Sequence, residues 1–430
     1  MKFNRCVLGI FFTSLADLTS NPVFATEETV LPLMQVRPSD YYPSLGQTSR
    51  FNRESLEATG ASDWNQVLRN LAGVDLTQSN ASTTTGLSFR GAGGGLGVVT
   101  LDGVPLFNSS TSFFPLSHFP LDFFEGAQLR RGLVDSNETS RTLGGSLKLS
   151  SRQLNPAHGF WHSEAGSYAT VRNNLGIATA NQAGSFTVMG GRSDIFEGVS
   201  QAVPVNAERD SFHMNNGVLR WDKDFTNGAV DASVYFVNTR ESVDGPGFLP
   251  TGRLGWKDDP NGVILQNTWV AQSQGHYALN SKWDSTLRLG YTQDSQEGQA
   301  GNIFGRAIPI DLTNQLWIAH WENSHPIKLD QQTKNINMVW GIDTQHQQGT
   351  SYLNSVSQLD RANTIVSPIF RAEFKIIDWS GNVVLRHDFD ARYGDHTVFT
   401  VGASWQISKK MQLWGKAGNG YRSPAVNELL

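Results

Sequence analysis

The chain has 430 residues, enough for two or three domains, and its 34 lysines and arginines nearly balance its 39 aspartates and glutamates. A net charge of -5 is too balanced for a nucleic-acid-binding stripe or a polybasic membrane anchor. The mean hydropathy of -0.32 is that of a soluble protein, but a transmembrane β-barrel averages to a similar value because its strands alternate apolar and polar residues. The 42 glycines and 24 phenylalanines favour an all-β protein, and they fit a soluble β-sandwich equally well.

The first 25 residues have the pattern of a signal peptide. Lys2 and Arg5 give a positive start, and residues 6–16 form an apolar core that is too short to span a bilayer as a helix. Val23 and Ala25 are small residues at the two positions that a signal peptidase reads, so we place the cleavage after Ala25. Cys6 is the only cysteine, so the mature chain would have no disulfide, zinc finger or thiol nucleophile.

Residues 26–59 read as a polar N-terminal leader. Most mature termini are unstructured, and that interpretation fits this segment. The alternative is a short extended stretch at residues 28–31 that a partner binds by adding it to a sheet as a strand. Pro32 would remove one hydrogen-bond donor from such a pairing.

Residues 60–152 predict a compact mixed α/β module. Ser62 and Asp63 could cap a short helix with apolar residues at three- and four-residue spacing, and Gly73 would stop it. Short strand patterns follow, with a turn at residues 102–105. The glycines of residues 91–97 do not match the spacing of a dinucleotide-binding or phosphate-binding loop, so we interpret them as a flexible loop.

Five short motifs in this module resemble the plug domain of TonB-dependent outer-membrane receptors. They lie in the family's order and at similar spacing, at residues 67–74, 89–91, 99–105, 129–132 and 143–147. Each motif is weak alone, and the five together are specific. Gln128 departs from the family pattern, which has a glutamate there, and residues 136–140 replace its usual tyrosine-glycine stretch.

The resemblance implies a plug inside a barrel of about 22 strands. It implies energy transfer from TonB, working with ExbB and ExbD, through a TonB box for which the candidates are Glu28, Thr29, Val30 and Leu31. It also implies that Arg90 and Arg131 pair with carboxylates on the barrel wall. Such a pair would act as a latch more than as a stabiliser, because desolvation offsets much of its attraction.

Residues 153–430 predict antiparallel barrel hairpins. Alternation with a period of two recurs, as where Val230, Val234 and Phe236 share one face and Asp231 and Tyr235 the other. Short turns at residues 226–228 and 408–410 contrast with long polar loops expected at residues 193–211, 241–261 and 348–367. Short turns on one side and long loops on the other are typical of outer-membrane barrels.

Residues 414–429 resemble a mid-barrel strand of the same family. The 278 residues from 153 onward hold about twelve to fourteen strand patterns, fewer than the family's barrel requires. We therefore expect a C-terminally truncated fragment, which should not insert and transport because lipid offers no partner to an open strand edge.

The resemblance implies energised uptake of a scarce, bulky nutrient, such as an iron–siderophore, haem or cobalamin-like compound, across the outer membrane of a Gram-negative bacterium. Ligand contacts are expected at the plug apices, for which the candidates are Gly93, Gly94, Gly95, Leu96, Phe107, Phe113 and Phe114. Packing inside the plug is an equally good explanation for the phenylalanines.

No enzyme or metal-site motif competes with this interpretation. The chain has no His-Glu-x-x-His or Gly-x-Ser-x-Gly pattern, and its ten histidines have no metal-ligand spacing. We expect neither enzymatic activity, nor a cofactor, nor a nucleic-acid partner. The alternatives are a passive porin or adhesin barrel and a secreted β-rich binding protein.

Overall fold

The computed structural model describes residues 48–69, 71–78, 85–91, 97–106, 116–132, 144–198, 209–248, 252–280, 282–303, 306–328, 334–353, 356–408 and 411–422. The predicted signal peptide, its cleavage after Ala25 and the candidate TonB box lie outside these residues. Within the described ranges, no helix is long and apolar enough to cross a membrane.

The N-terminal part, which we call the plug, is a small mixed α/β unit. Its elements are β1 (Thr48–Asn52), α1 (Arg53–Ala58), α2 (Trp64–Arg69), β2 (Val74–Gln78), β3 (Thr85–Phe89), β4 (Gly97–Leu101), β5 (Val104–Leu106), the 3-10 turns η1 (Leu116–His118) and η2 (Leu121–Phe123), β6 (Phe124–Arg131) and β7 (Gly145–Ser151). A five-stranded sheet has the order β1-β6-β7-β4-β5, in which only β4 and β7 are parallel, and β2 and β3 form a separate hairpin.

Local chemistry explains where the two helices of the plug begin. The side chain of Asn52 accepts a hydrogen bond from the backbone N–H of Ser55 (2.9 Å) at the start of α1. Asp63 accepts from the N–H of Gln66 (2.9 Å), which is the capping that the sequence predicted for α2. Strand β1 belongs to the plug sheet, although the sequence analysis placed residues 48–52 in the leader.

A buried apolar core holds the plug elements together. Trp64 on α2 meets Phe124 on β6 edge to face, with ring centroids 5.2 Å apart. Leu129 and Leu147 on paired strands are fully buried beside them. Alternate residues of these strands therefore point into one core, as their apolar pattern requires.

The C-terminal part, which we call the wall, is an antiparallel sheet with thirteen described strands on its main path. They are β8 (Gly159–Gly166), β9 (Thr170–Asn181), β10 (Gly184–Ile195), β11 (Phe212–Phe225), β12 (Gly228–Ser242), β15 (Val263–Asn280), β16 (Trp283–Ile303), β17 (Arg306–Lys328), β18 (Lys334–Leu353), β19 (Val356–Ile376), β20 (Trp379–Asp390), β21 (His396–Ser408) and β22 (Met411–Gly418). Each pairs with the next along this path, and the short strands β13 (Gly245–Phe248) and β14 (Leu254–Lys257) lie in the β12–β15 connection.

The two faces of the wall reverse the arrangement of a soluble protein. On β16, Leu287 and Leu289 are 47% and 50% exposed, whereas Thr286 and Thr292 on the other face are buried. The plug packs on the polar face, where Thr292 Oγ1 donates to the backbone oxygen of Pro105 (3.1 Å). Apolar side chains outward and polar side chains inward are the pattern of a membrane barrel wall. The predicted fold class, a plug followed by antiparallel barrel strands, is confirmed.

One predicted loop is wrong. Residues 348–367 are not a long polar loop, because β18 continues to residue 353 and β19 begins at residue 356. Gln348 pairs with Ala362 and Gly349 with Arg361 across this hairpin. The hairpin is polar on both faces here, so the alternation that reveals a strand is missing although the backbone still pairs.

Candidate functional site: the contact between plug and wall

The apolar core of the plug continues into the wall. Phe119 and Phe124 of the plug lie 6.4 and 6.3 Å, between ring centroids, from Tyr235 on β12. Met214 on β11 and Ile318 on β17 are buried in the same cluster. Inward apolar residues from separate parts of the wall therefore pack against the plug.

The β4–β5 turn carries one of the polar contacts. The Asp102 carboxylate accepts hydrogen bonds from the backbone N–H of Ser151 (2.8 Å) and from Ser233 Oγ on β12 (3.2 Å). Gly103 has a φ of +83°, and a Cβ there would overlap the guanidinium of Arg288 on β16. Glycine is thus favoured by the positive φ of the turn, and the end of the flexible Arg288 side chain lies where a Cβ would be.

Arg220 on β11 is the cation at this contact. It donates to Ser151 Oγ of the plug (2.7 Å) and to Asp222 through two nitrogens, of which Nε lies 2.9 Å from Oδ2. Its terminal nitrogens lie 3.9 Å from Asp102 and from Asp231 on β12. One buried guanidinium thus faces three carboxylates from the plug and two wall strands. We call Arg220, Asp102, Asp222 and Asp231 the Arg220 cluster.

Asp122 in η2 makes a second polar contact with the wall. Its carboxylate lies 2.7 Å from His162 Nδ1 on β8 and accepts from Asn174 Nδ2 on β9 (2.8 Å). Arg53 of α1 donates to the same carboxylate (3.3 Å). Burial raises the pKa of Asp122, but the bonds to His162 and Asn174 and the charges of His162 and Arg53 outweigh it, so the pKa lies below its usual value.

A row of polar side chains crosses the inward face of the wall. Arg288, His320, Asp343 and Ser367 are directly paired on β16 to β19. Arg386 on β20 extends the row, because it donates to Asp343 Oδ2 (3.0 Å) and to Ser367 Oγ (2.8 Å). His320, Asp343, Ser367 and Arg386 are buried, and Asp343 links His320 to Arg386 across β17 to β20.

The predicted latch arginines lie together on the plug. Arg131 Nη1 donates to Ser49 Oγ on β1 (3.0 Å), and the side chains of Arg90 and Arg131 flank Gly73. Burial and the nearby charge of Arg90 lower the pKa of Arg131. Their pairing with carboxylates of the wall stays a prediction.

The predicted ligand contacts lie outside the described residues. These are Gly93, Gly94, Gly95, Leu96, Phe107, Phe113 and Phe114.

Sequence reasoning missed the Arg220 cluster and Asp122. Arg220 could have been found from the alternation of β11, because Arg220 and Asp222 lie on the face opposite to Leu219. Charged residues on the inward face of a barrel strand are candidates for contact with whatever fills the lumen. No comparable pattern marks Asp122, because it sits in an irregular turn between Leu121 and Phe123.

The comparisons with known proteins match this architecture. Residues 43–146 match the TonB-dependent Receptor Plug Domain. The chain is 22% identical over 415 residues to the vitamin B12 transporter BtuB of Photobacterium profundum, which covers 95% of this chain and 65% of the relative. It is also 22% identical to BtuB of Vibrio cholerae serotype O1, which covers 97% of this chain and 66% of the relative.

Solved structures share the fold at low identity. A mutant of the ferric enterobactin receptor PfeA from Pseudomonas aeruginosa superposes with a TM-score of 0.70 at 14% identity, covering 90% of this chain and 64% of that one. The ferric citrate transporter FecA gives a TM-score of 0.68 at 13% identity, covering 89% and 63%. Residues 43–146 are thus a plug domain of the TonB-dependent receptor family, and the described chain shares the fold of such receptors.

The chain spans 65 to 66% of the length of the curated relatives named above. Proteins of the family lie in the outer membrane of Gram-negative bacteria. The match to the plug begins at residue 43, shortly before β1, which agrees with the placement of β1 in the plug sheet.

Proposed function

We propose that this TonB-dependent receptor takes up a scarce, bulky nutrient across the outer membrane with energy supplied by TonB, ExbB and ExbD. The observation that carries the proposal is the plug docked on the polar inward face of a wall whose outward face is apolar. Relatives are named for vitamin B12, and structural neighbours for ferric enterobactin and ferric citrate. A compound of this size and class is the proposed substrate.

The docked plug disfavours a passive pore. The Arg220 cluster and Asp122 bind the plug to strands β8, β9, β11 and β12 by polar contacts. Polar contacts in a wet lumen can break and reform, because water replaces each lost partner. The plug would therefore move only when work is done on it, which is the role proposed for TonB. The exposed apolar face likewise disfavours a secreted soluble protein.

The remaining assignments complete the proposal. A signal peptide of residues 1–25 is removed after Ala25, and the leader that follows it carries the TonB box at Glu28, Thr29, Val30 and Leu31. The plug domain includes β1 and extends to about residue 152, and residues 153–430 form a barrel segment. The named relatives are transporters and receptors, so we propose a protein that is not an enzyme.

Uptake measurements test the proposal. The product of the complete gene that encodes this chain would be expressed in cells that lack their own receptors and supplied with radiolabelled cyanocobalamin, ferric enterobactin or ferric citrate. We expect uptake of one compound, and its loss without TonB or in Leu31→Pro, because proline removes a donor from strand pairing. Ser39→Pro, elsewhere in the leader, is the control and should leave uptake unchanged.

Two results would refute the proposal. Uptake that persists without TonB would indicate a passive pore. Uptake of none of the three compounds, with the product of the complete gene found in the outer-membrane fraction, would refute the proposed substrate class.

A further inference from the structure

A groove of about 700 Å³ opens on the outward face of the wall where β11 turns into β12. The end of β15 and the start of β16 lie beside this turn. The groove is lined by Phe225, Gly228, Ala229, Val230, Gly275, His276, Tyr277, Leu279, Trp283, Ser285, Leu287, Trp321 and Asn323. Its volume lies within the range of about 300–1,000 Å³ that is usual for small-molecule sites.

Strand register explains why the groove exists. Val230, Gly275, Leu287 and Trp321 are direct cross-strand partners on β12, β15, β16 and β17. Gly275 leaves a gap in this outward row, since a Cβ there would meet only Val230 at 3.8 Å. Ser285 leaves a second gap in the next row. Small residues among large ones thus form a depression in an otherwise continuous apolar surface.

The two indole nitrogens of the groove are hydrogen-bonded within its lining. Trp321 Nε1 donates to Ser285 Oγ (3.0 Å), and Trp283 Nε1 donates to Asn323 Oδ1 (2.9 Å). These bonds fix the two indole rings and leave apolar surface facing the opening. A ligand of the groove must therefore be apolar where it contacts the lining.

We infer that the groove holds an acyl chain of a phospholipid from the periplasmic leaflet. The inference rests on the proposed outer-membrane location, in which the outward face of the wall is covered by hydrocarbon. Tight turns of outer-membrane barrels lie on the periplasmic side, where the leaflet is phospholipid. Lys282, exposed in the turn directly before Trp283, supplies a positive charge at that end of the groove for a phosphate.

Native mass spectrometry of the chain, purified in dodecyl maltoside with added palmitoyl-oleoyl phosphatidylglycerol, tests the inference. We expect one retained lipid. Gly275→Leu should fill the groove and lower the lipid-bound fraction about tenfold, because several methylene contacts are lost. The control is Gly415→Leu on β22, an exposed glycine with nothing within 4 Å of its Cβ position, which should retain lipid as the unchanged chain does.

Equal lipid retention in Gly275→Leu and the unchanged chain would overturn the inference. Stronger retention of lipid A than of phosphatidylglycerol would overturn the leaflet assignment. A dimer that Gly275→Leu dissociates would identify a second copy as the occupant instead.

Lipid retention is measured without any uptake. If the protein retained lipid but did not transport, only the proposed function would be refuted. A chain that remains in the aqueous fraction of cells would refute the membrane location and the lipid site together.

Discussion

The charge balance at the contact between plug and wall depends on Arg220. Its guanidinium is buried among Asp102, Asp222 and Asp231, and it also binds Ser151 of the plug. Desolvation offsets much of the attraction in such a cluster, so its net contribution to stability is small. Loss of the cation alone is different, because three carboxylates then face one another without compensation.

We predict that Arg220→Met weakens the docking of the plug by about 3–5 kcal/mol. The measurement is deuterium exchange of plug amides with the chain in detergent, which should become faster. Arg192→Met on β10 is the matched control, since Arg192 pairs with Asp194 in the same two-residue spacing but its side chain is 57% exposed. It should leave exchange of the plug unchanged, because exposed pairs contribute little. Equal effects of the two substitutions would contradict the account.

Asp122 predicts a pH dependence of plug stability. Its pKa is lowered in the folded protein, so its contribution is complete above the unfolded value of about 4 and is lost as pH falls through the folded value. We expect Asp122→Asn to be less stable than the unchanged chain at pH 6, with the difference shrinking toward pH 3. Melting midpoints measured between pH 6 and 3 check this. Asp75→Asn, at an exposed carboxylate of β2, should give a small difference at every pH.

Only some of the contacts between individual residues could be predicted from the sequence. The turn at Asp102 and the capping role of Asp63 follow from local chemistry, and both are present. Arg90 and Arg131 came from resemblance, and the structure places them beside each other on the plug. The partners of Asp102 could not be predicted, because residues 102 and 220 are brought together only by docking of the plug in the wall.

At the scale of elements, apolar alternation was a reliable guide where strands face lipid. The outward faces of β12 and β16 follow the predicted period of two. The same rule failed for residues 348–367, where both faces are polar although β18 and β19 are paired. Alternation of apolar and polar residues depends on what each face of a strand contacts. Backbone hydrogen bonding does not require it, so strands without alternation can still pair.

Strand β1 is the element through which the leader joins the plug. It pairs only with β6 in its sheet, and a Cβ at Gly126 would overlap the carbonyl oxygen of Phe51 on β1. We predict that Gly126→Ala displaces β1, at a cost of about 1–3 kcal/mol for overpacking. Deuterium exchange of residues 48–52 should accelerate, while amides of the β2–β3 hairpin exchange as before. Unchanged exchange of residues 48–52 would show that the backbone accommodates the methyl group.

At the scale of the whole molecule, the fold follows from burying the polar face of the wall instead of its apolar face. The plug supplies apolar and polar partners to inward residues of the wall, and within the wall Asp343 pairs with His320 and Arg386. The outward surface has no partner in the chain that could bury its leucines and tryptophans among the described residues. Such a surface is stable only against hydrocarbon.

The central claim is therefore the direction in which the two faces of the wall point. Val383, Val384 and Leu385 are consecutive on β20, with the first and third exposed and the second buried. With Cys6 replaced by serine, each would be changed to cysteine, spin-labelled, and measured in phospholipid vesicles for collisions with oxygen and with a water-soluble nickel chelate. We predict that labels at 383 and 385 collide strongly with oxygen and weakly with nickel, and that the label at 384 is shielded from both. Strong nickel collisions at 383 and 385 would contradict the account.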